Sequence, residues 1–221
     1  MFALPKNKII LPSKISEELA EETGLHIGDG SMNFYNKKGL YQLRGHITDD
    51  KMHYDTRISK LYKDLYNLDI SLRKMKSTRV YGFQIWSNEM VLFKHKILKL
   101  PLGKKNTIKI PEIFTKKEEY LAALIRGIFD TDGTFYLEPK NNSLYPRIEI
   151  TTISRQLYLQ LIKYLKNLDF RTTGWVMKRK CYKPAYRVTV RGRKMLNKWI
   201  KEISPKNPKF WLKFKYYLRN S

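Results

Sequence analysis

The sequence predicts an α+β fold made of two copies of one αββαββα unit, and three observations carry that expectation. Residues 22–34, ETGLHIGDGSMNF, and residues 125–137, IRGIFDTDGTFYL, are both helix-compatible apolar runs that end in Asp-Gly and pass into a strand-like stretch. Asp29 and Asp132 hold the same place in the two runs, 103 residues apart. The same order of helical and alternating segments follows each run, as a duplication requires.

Residues 1–14 contain two prolines and read as an extended lead-in. Ser16 is placed to N-cap a helix carrying Leu19, Thr23 and Ile27 on one face. Gly24 and Gly28 are four apart on it, and Gly30 stands just past its end, where a C-terminal glycine is common. Residues 31–36 and 40–48 read as strands around a turn at Asn36-Lys-Lys-Gly39. Ile58, Leu61, Leu65 and Leu68 give helical spacing over 52–68. A second hairpin is expected at 71–77 and 80–87, with Tyr81, Phe83 and Ile85 facing inward, then a helix at 88–99. PLGKKNTIKIP at 101–111 breaks the periodicity. The order then repeats: helix 118–131, strands 133–138 and 145–152, helix 154–168, strands 171–180 and 184–191, helix 192–203. The basic-aromatic stretch 208–218 is expected to be helical.

These elements divide the chain into an N-terminal unit (1–100), a linker (101–117) and a C-terminal unit (118–221). At an offset of 103, Arg44, Thr48 and Ile85 map to Arg147, Thr151 and Val188. Asn67-Leu68-Asp69 maps to Asn167-Leu168-Asp169 at an offset of 100. A pseudo-two-fold axis between the units is the expected relation, in a monomer.

Composition narrows the partner. Lys and Arg total 44 against 20 acids, a formal charge of +24, and such a chain repels itself unless a polyanion neutralises it. Nucleic acid is favoured over an anionic membrane surface, because no amphipathic basic helix or lipidation signal supports the latter. The apolar fraction of 42% with 15 Tyr, 10 Phe and 4 Trp indicates a packed globule. Cys181 is alone, which excludes an internal disulfide and a cysteine-based zinc site. No secretory h-region opens the chain and no apolar run spans a bilayer. An intracellular protein is expected, in cytoplasm, nucleoid or an organelle; the starting Met favours a free-standing chain.

A carboxylate in the last turn of a helix faces the negative end of the helix dipole. Two of them at repeat-equivalent ends make sense if a divalent cation neutralises them. Gly24 and Gly28, with Gly127 and Thr131, offer small surfaces through which the two helices can approach closely. Two carboxylates with bound Mg²⁺ near a dyad suit the hydrolysis of two phosphodiesters, one per DNA strand.

With these residues in hand, ETGLHIGDG and IRGIFDTDG resemble the two motifs of a single-chain LAGLIDADG homing endonuclease, and GKKNTIKIP before the second motif is similar to that family too. The resemblance extends over essentially the whole chain. It implies a DNA-binding saddle of antiparallel sheets with helices packed behind and the motif helices as the inter-unit interface. It implies Mg²⁺-dependent double-strand cleavage of a long, roughly palindromic target across the minor groove, leaving short 3′ overhangs. Two or three divalent ions are implied, with Mn²⁺ or Ca²⁺ able to substitute in binding. The last acid of each motif holds metal in the family, which selects Asp29 and Asp132; Gly28 and Thr131, immediately before them, complete the implied metal set. Asp130 has Ile27 as its counterpart and is expected to be structural. The first motif departs from the family pattern at Glu22, Thr23 and His26. The family places a lysine near each site, and Lys105 and Lys209 are chosen among 104, 105, 109, 206, 209 and 213 for their offset of 104.

Base reading is expected from the polar strand faces: Gln42, Arg44, His46 and Thr48, then Gln84 and Trp86, in the first unit, and Arg147, Glu149, Thr151, Arg187, Thr189 and Arg191 in the second. Residues 171–194 carry nine Lys or Arg and no acid, which suits phosphate tracking. His46 is paired with Glu149 and Gln84 with Arg187, so the half-sites should differ. His26, His53 and His95 lack metal-ligand spacing, and the proline in Glu138-Pro-Lys140 speaks against an acid-x-Lys nuclease element. Two other uses of the same saddle remain: an intron RNA maturase, with intron RNA as partner, and a non-cleaving DNA-binding relative. Intron and intein origins are both open.

Overall fold

The computed structural model describes residues 8–75, 79–140, 143–179 and 182–219. Residues 1–7 of the expected lead-in, 76 and 77 of the expected strand 71–77, residue 180 of the strand 171–180, and Cys181 lie outside them.

The N-terminal unit runs α1 (Glu17–Asp29), β1 (Gly30–Tyr35), β2 (Lys38–His46), then α2 (Lys51–His53) and α3 (Ser59–Tyr66) joined by a π-helical turn at Tyr54–Ile58, β3 (Arg73–Lys74), β4 (Val80–Trp86) and α4 (Asn88–Leu92) with a second π turn at Phe93–Ile97. The C-terminal unit runs α5 (Glu118–Asp132), β5 (Gly133–Lys140), β6 (Ser143–Thr152), α6 (Arg155–Asn167), β7 (Thr172–Arg179), β8 (Tyr182–Arg191), α7 (Arg193–Glu202) and α8 (Pro208–Arg219). Each unit folds its strands into one antiparallel sheet with the same order, β1-β2-β4-β3 and β5-β6-β8-β7. Inward residues alternate with outward ones: Tyr41, Leu43, Phe83 and Ile85 in one sheet, Ile148, Ile150, Val188 and Val190 in the other, all buried against the helices. A single apolar cluster joins both units.

The two motif helices are the spine. Residues 19–28 of α1 are buried on every side, not along the one face expected, because α5 covers what α3 and the sheet do not. The helices meet through glycine: a Cβ on Gly24 would overlap the Leu124 carbonyl oxygen, and one on Gly127 would stand 2.7 Å from the Leu25 nitrogen and 2.9 Å from the Gly24 Cα. Gly30 stands just past the end of α1, as expected, and Gly133 does the same for α5, but neither is left-handed. Their φ angles are −76° and −81°. Glycine is needed there because a side chain would run into His26 and Phe129 of the turn above.

Ser16 and Ser154 cap their helices through Leu19 and Leu157. The first hairpin turns on Asn36 and Lys37 alone, both with positive φ, a two-residue loop closed by the Tyr35–Lys38 pair. Gly39 belongs to β2. Thr48 lies beyond the end of β2 in the turn that follows, and of the described residues in the strand expected at 71–77, Arg73–Lys74 form β3. The linker is no loose tether: Ser154 donates to the Ile108 carbonyl (2.6 Å), and Gln160 brackets Ile110 through its amide and carbonyl. α8 closes the second unit, stacking Phe210 on Phe129 at 4.3 Å and Phe214 against Phe135 at 4.7 Å.

The constant offset of 103 does not survive the first strand. Gly30 pairs with Leu43, but Gly133 pairs with Ile150, so β2 and β6 correspond at 107. The second hairpin is longer by two residue pairs. In the next pairing, Leu40 faces Trp86 and Arg147 faces Arg191, which puts β4 and β8 at 105. Arg44 therefore matches Thr151, Gln42 matches Glu149, and Gln84 matches Thr189. The pairings Arg44 with Arg147, Thr48 with Thr151, Ile85 with Val188, His46 with Glu149 and Gln84 with Arg187 fail. Every slip is an even number of residues, so the side chains that lie within the paired strands stay on their expected sheet faces.

Candidate active site and nucleic-acid interface

Because α1 and α5 cross through their glycines, their C-terminal ends arrive side by side. The Asp132 carboxyl carbon lies 3.5 Å from where a Cβ on Gly28 would be. Asp29 accepts a hydrogen bond from the Tyr54 hydroxyl at 3.1 Å. Its pKa is raised to about 7, first by burial and then by the charges of Asp132 and Asp50. Asp132 is open to solvent at the helix end, yet protein around it raises its pKa too, against the pull of Lys105 and Lys209. Two helix dipoles converge there with their negative ends.

Lys105, from the linker, reaches this end. Its Nζ donates to the carbonyls of Ile27 (3.1 Å) and Gly28, and burial lowers its pKa despite Asp132 and Asp29 beside it. Lys209, at the start of α8, comes to the same region from the other unit and donates to Asp50 Oδ1 at 2.9 Å. Thr131 turns its hydroxyl back onto the carbonyls of Gly127 and Ile128. The structure thus gathers Asp29, Asp132, Gly28, Thr131, Lys105 and Lys209 at one place.

Sequence reasoning missed Asp50, Gly45 and Asn207. Asp50 is 6% exposed and receives the His46 N–H, the Asn207 amide and Lys209. A Cβ on Gly45 would sit 2.9 Å from both Asp29 Oδ2 and Asp50 Oδ2, so only glycine leaves room between those carboxylates. An aspartate ahead of a helix normally reads as a cap, and Asp50 makes no capping bond.

Asp130 stands apart from this group. It is fully buried and accepts the Lys206 N–H at 2.8 Å, while Asn207 donates to its carbonyl at 2.8 Å. Burial raises its pKa to about 7 and lowers that of neighbouring His53 to about 3, which leaves His53 neutral and Asp130 close to its midpoint near neutrality. The departures in the first motif have structural work. Glu22 is buried among Lys94 Nζ (2.5 and 2.6 Å) and the hydroxyls of Tyr41, Tyr62 and Tyr66. Thr23 bonds to Leu19 O, and His26 stacks on Tyr41.

The sheet faces away from the helices carry the expected polar side chains. Arg44 is exposed; Gln42 and Gln84 are hydrogen-bonded across β2 and β4 at 3.2 Å; Trp86 meets Tyr35 edge-on. In the second sheet Glu149 is 5% exposed and Thr189 1% exposed, so neither is a free reader as expected. Glu149 is covered because it holds Tyr136 (3.0 Å), Thr189 (3.4 Å) and Arg187 (3.5 Å). Arg187 lies over the half-exposed Trp175 ring, and Arg147 is held by Glu138 at 2.6 Å. Pro139 is tolerated in β5, because that strand is an edge. Arg191 and Thr151 are half-buried on the same face.

The family description "LAGLIDADG-like domain" matches residues 119–204. The match lies within the second unit and makes that unit similar to a LAGLIDADG-like domain. The whole chain has the fold of the LAGLIDADG homing endonucleases: it superposes on I-DmoI in complex with DNA and Ca at a TM-score of 0.58, with 18% identity over 84% of this chain and 86% of that one. I-AabMI bound to uncleaved DNA matches at 0.55, with 13% identity over 88% and 86%. I-GzeII in complex with its DNA target matches at 0.56, with 12% identity over 93% and 89%. A DNA polymerase from Thermococcus sp. (strain GE8) is 28% identical over 157 residues, and one from Thermococcus hydrothermalis is 27% identical over 152. Those stretches are 71% and 68% of this chain but only 9% and 8% of the polymerases, so the chain spans less than a tenth of the curated relatives it matches. Among the described residues no helix is long and apolar enough to cross a membrane.

Proposed function

We propose that this chain is a site-specific homing endonuclease that makes Mg²⁺-dependent double-strand breaks in a long, roughly palindromic DNA target. The observation that carries the reading is the meeting of Asp29 and Asp132 at adjacent helix ends, with their acids' pKa values raised. A protein that only bound DNA or RNA would gain nothing from two carboxylates held where each opposes the other's charge. The matched LAGLIDADG structures, which contain DNA with Ca or Mn, support the same substrate and a divalent ion. The short matched stretches within long polymerase chains fit a unit carried inside a host gene.

The donor set fits a hard divalent cation. Two carboxylates and the carbonyls ending α1 and α5 are oxygen ligands; Asp50, the third acid nearby, is taken up by its own hydrogen-bond donors. Mg²⁺ ordinarily takes one or two carboxylates and fills its shell with water and substrate phosphate. When bound, it polarises the scissile phosphate and activates water. Asp29 and Asp132 would each hold it for one strand, with Gly28 and Thr131 presenting backbone oxygens. Lys105 and Lys209 stand where charge builds on the phosphate; burial has lowered Lys105, which makes its proton easier to pass to a leaving oxygen. The two sheets would lie along the DNA, with Arg44, Arg187 and Arg191 toward bases and phosphates.

Asp29→Asn should abolish double-strand cleavage of a target plasmid in Mg²⁺ while DNA binding in Ca²⁺ persists. Undiminished Mg²⁺-dependent cutting by that variant would sink the two-acid reading.

A further inference from the structure

The two units treat their basic tails differently. In each, the residue before the helix that follows the second strand receives the segment arriving from the other half of the chain. In the second unit that residue is Ser154, whose hydroxyl donates to Ile108 O at 2.6 Å. In the first it is Asp50, which takes two donors from the C-terminal unit on one oxygen, Asn207 Nδ2 and Lys209 Nζ, both at 2.9 Å. Its other oxygen takes the His46 N–H at 2.8 Å. Three donors converge on two oxygens, so an amide could not satisfy them: one face of Asn would set N–H against N–H.

The consequence is an imbalance between the two lysines. Lys105 hangs on the main-chain carbonyls of Ile27 and Gly28, anchors that no side-chain change removes. Lys209 is fixed at its backbone nitrogen by Asn207 Oδ1 (3.1 Å), and its ammonium, which lies 5.0 Å from the Phe210 ring centre, donates to a side chain, Asp50, rather than to main-chain carbonyls. A lysine stem has four rotatable bonds, and on a polyanion its ammonium finds many competing phosphates.

Resting on the endonuclease reading, we propose that Asp50 is a positioning residue that holds Lys209 at its half of the active centre, and that the absence of a charged counterpart at Ser154 makes the two DNA strands depend on unlike devices. Loss of Asp50 then slows one strand, not both.

The test labels each strand separately and follows single-turnover cleavage in Mg²⁺ by the wild type, Asp50→Asn, Lys209→Met and the double variant. Asp50→Asn should slow one strand by at least about 10-fold more than the other, as loss of a positioned charge does. It should be the strand that Lys209→Met slows, and the double variant should show no larger strand bias than Lys209→Met alone. Equal slowing of both strands, slowing of the opposite strand, or multiplying biases would overturn the proposal. Thermal unfolding without metal supplies a second readout: the two substitutions should be non-additive, and simple additivity would refute the contact. A wild type that cuts neither strand would overturn the endonuclease reading together with the strand claim. A wild type that cuts, with both strands equally affected by Asp50→Asn, would overturn only the role given to Asp50.

Discussion

Gly127→Ala is the sharpest probe of how α1 and α5 deliver the two acids. The added methyl would stand 2.7 Å from Leu25 N and 2.9 Å from Gly24 Cα and would overlap the Glu21 carbonyl. Heavy atoms in comfortable contact are roughly 3.5–4.0 Å apart, so the helices must part by about 1 Å. Overpacking of that kind costs about 1–3 kcal/mol, and alanine returns about 1 kcal/mol of helix propensity. Net destabilisation should be no more than about 2 kcal/mol, a few degrees in melting temperature for a chain of this size. Catalysis is less forgiving: a displacement of about 1 Å between groups that act together can cost ~100-fold. Cleavage of supercoiled target plasmid in Mg²⁺ should fall by that order, while DNA binding in Ca²⁺ changes little. Ala123→Gly, at a fully buried position of the same helix, is the control: it destabilises by about 1 kcal/mol through lost helix propensity, with no added atom to hold the helices apart. Near-normal cleavage by Gly127→Ala, or an equal loss in Ala123→Gly, would refute the idea that helix separation sets the geometry.

Three further outcomes follow from the same contacts. Asp29 rises from 3.8 to about 7 in the folded, metal-free chain, so the unfolded chain ionises first and stability falls as pH climbs from about 4 through about 7. Asp29→Asn should therefore gain stability over wild type across that window, by on the order of 4 kcal/mol at most, and level off above it; a gap independent of pH in chelator-treated protein would contradict the shift. Lys94→Met should destabilise by ~3 kcal/mol because Glu22 stays buried without its cation, and adding Glu22→Gln should recover part of that loss in a denaturant titration. Affinity for non-specific DNA should fall steeply between low and physiological salt, given a charge of +24, and a flat response would argue against phosphate tracking.

The duplicated unit and its acids were legible in the sequence because their signals are local. A helix that closes in Asp-Gly and passes into a strand declares itself within a dozen residues, and Gly24 opposite Gly127 needed only helical spacing. What could not be read was set by long-range register. The second hairpin lengthens by two residue pairs, and nothing within the strands marks where the extra residues enter. The face assignments held because the slips were even, while the residue-to-residue pairings did not. Glu149 and Thr189 looked like open polar positions; their burial comes from Tyr136 and Arg187, supplied by neighbouring strands. Asp50 was hidden for the same reason, since its partners lie 157 and 159 residues downstream. Glu22 seemed a departure from its motif and proved to be the hub of a buried network that needs Lys94 from another helix.

The longer second hairpin has a geometric consequence for the target. An antiparallel strand advances about 3.4 Å per residue, so two additional pairs carry the ribbon formed by β5 and β6 about 7 Å further from the helix ends than its partner in the first unit. Base pairs in B-form DNA are also spaced by about 3.4 Å. Laid in a groove, the C-terminal ribbon would touch roughly two base pairs that the N-terminal ribbon cannot reach, and the recognised sequence would be longer on one side of the cut than on the other.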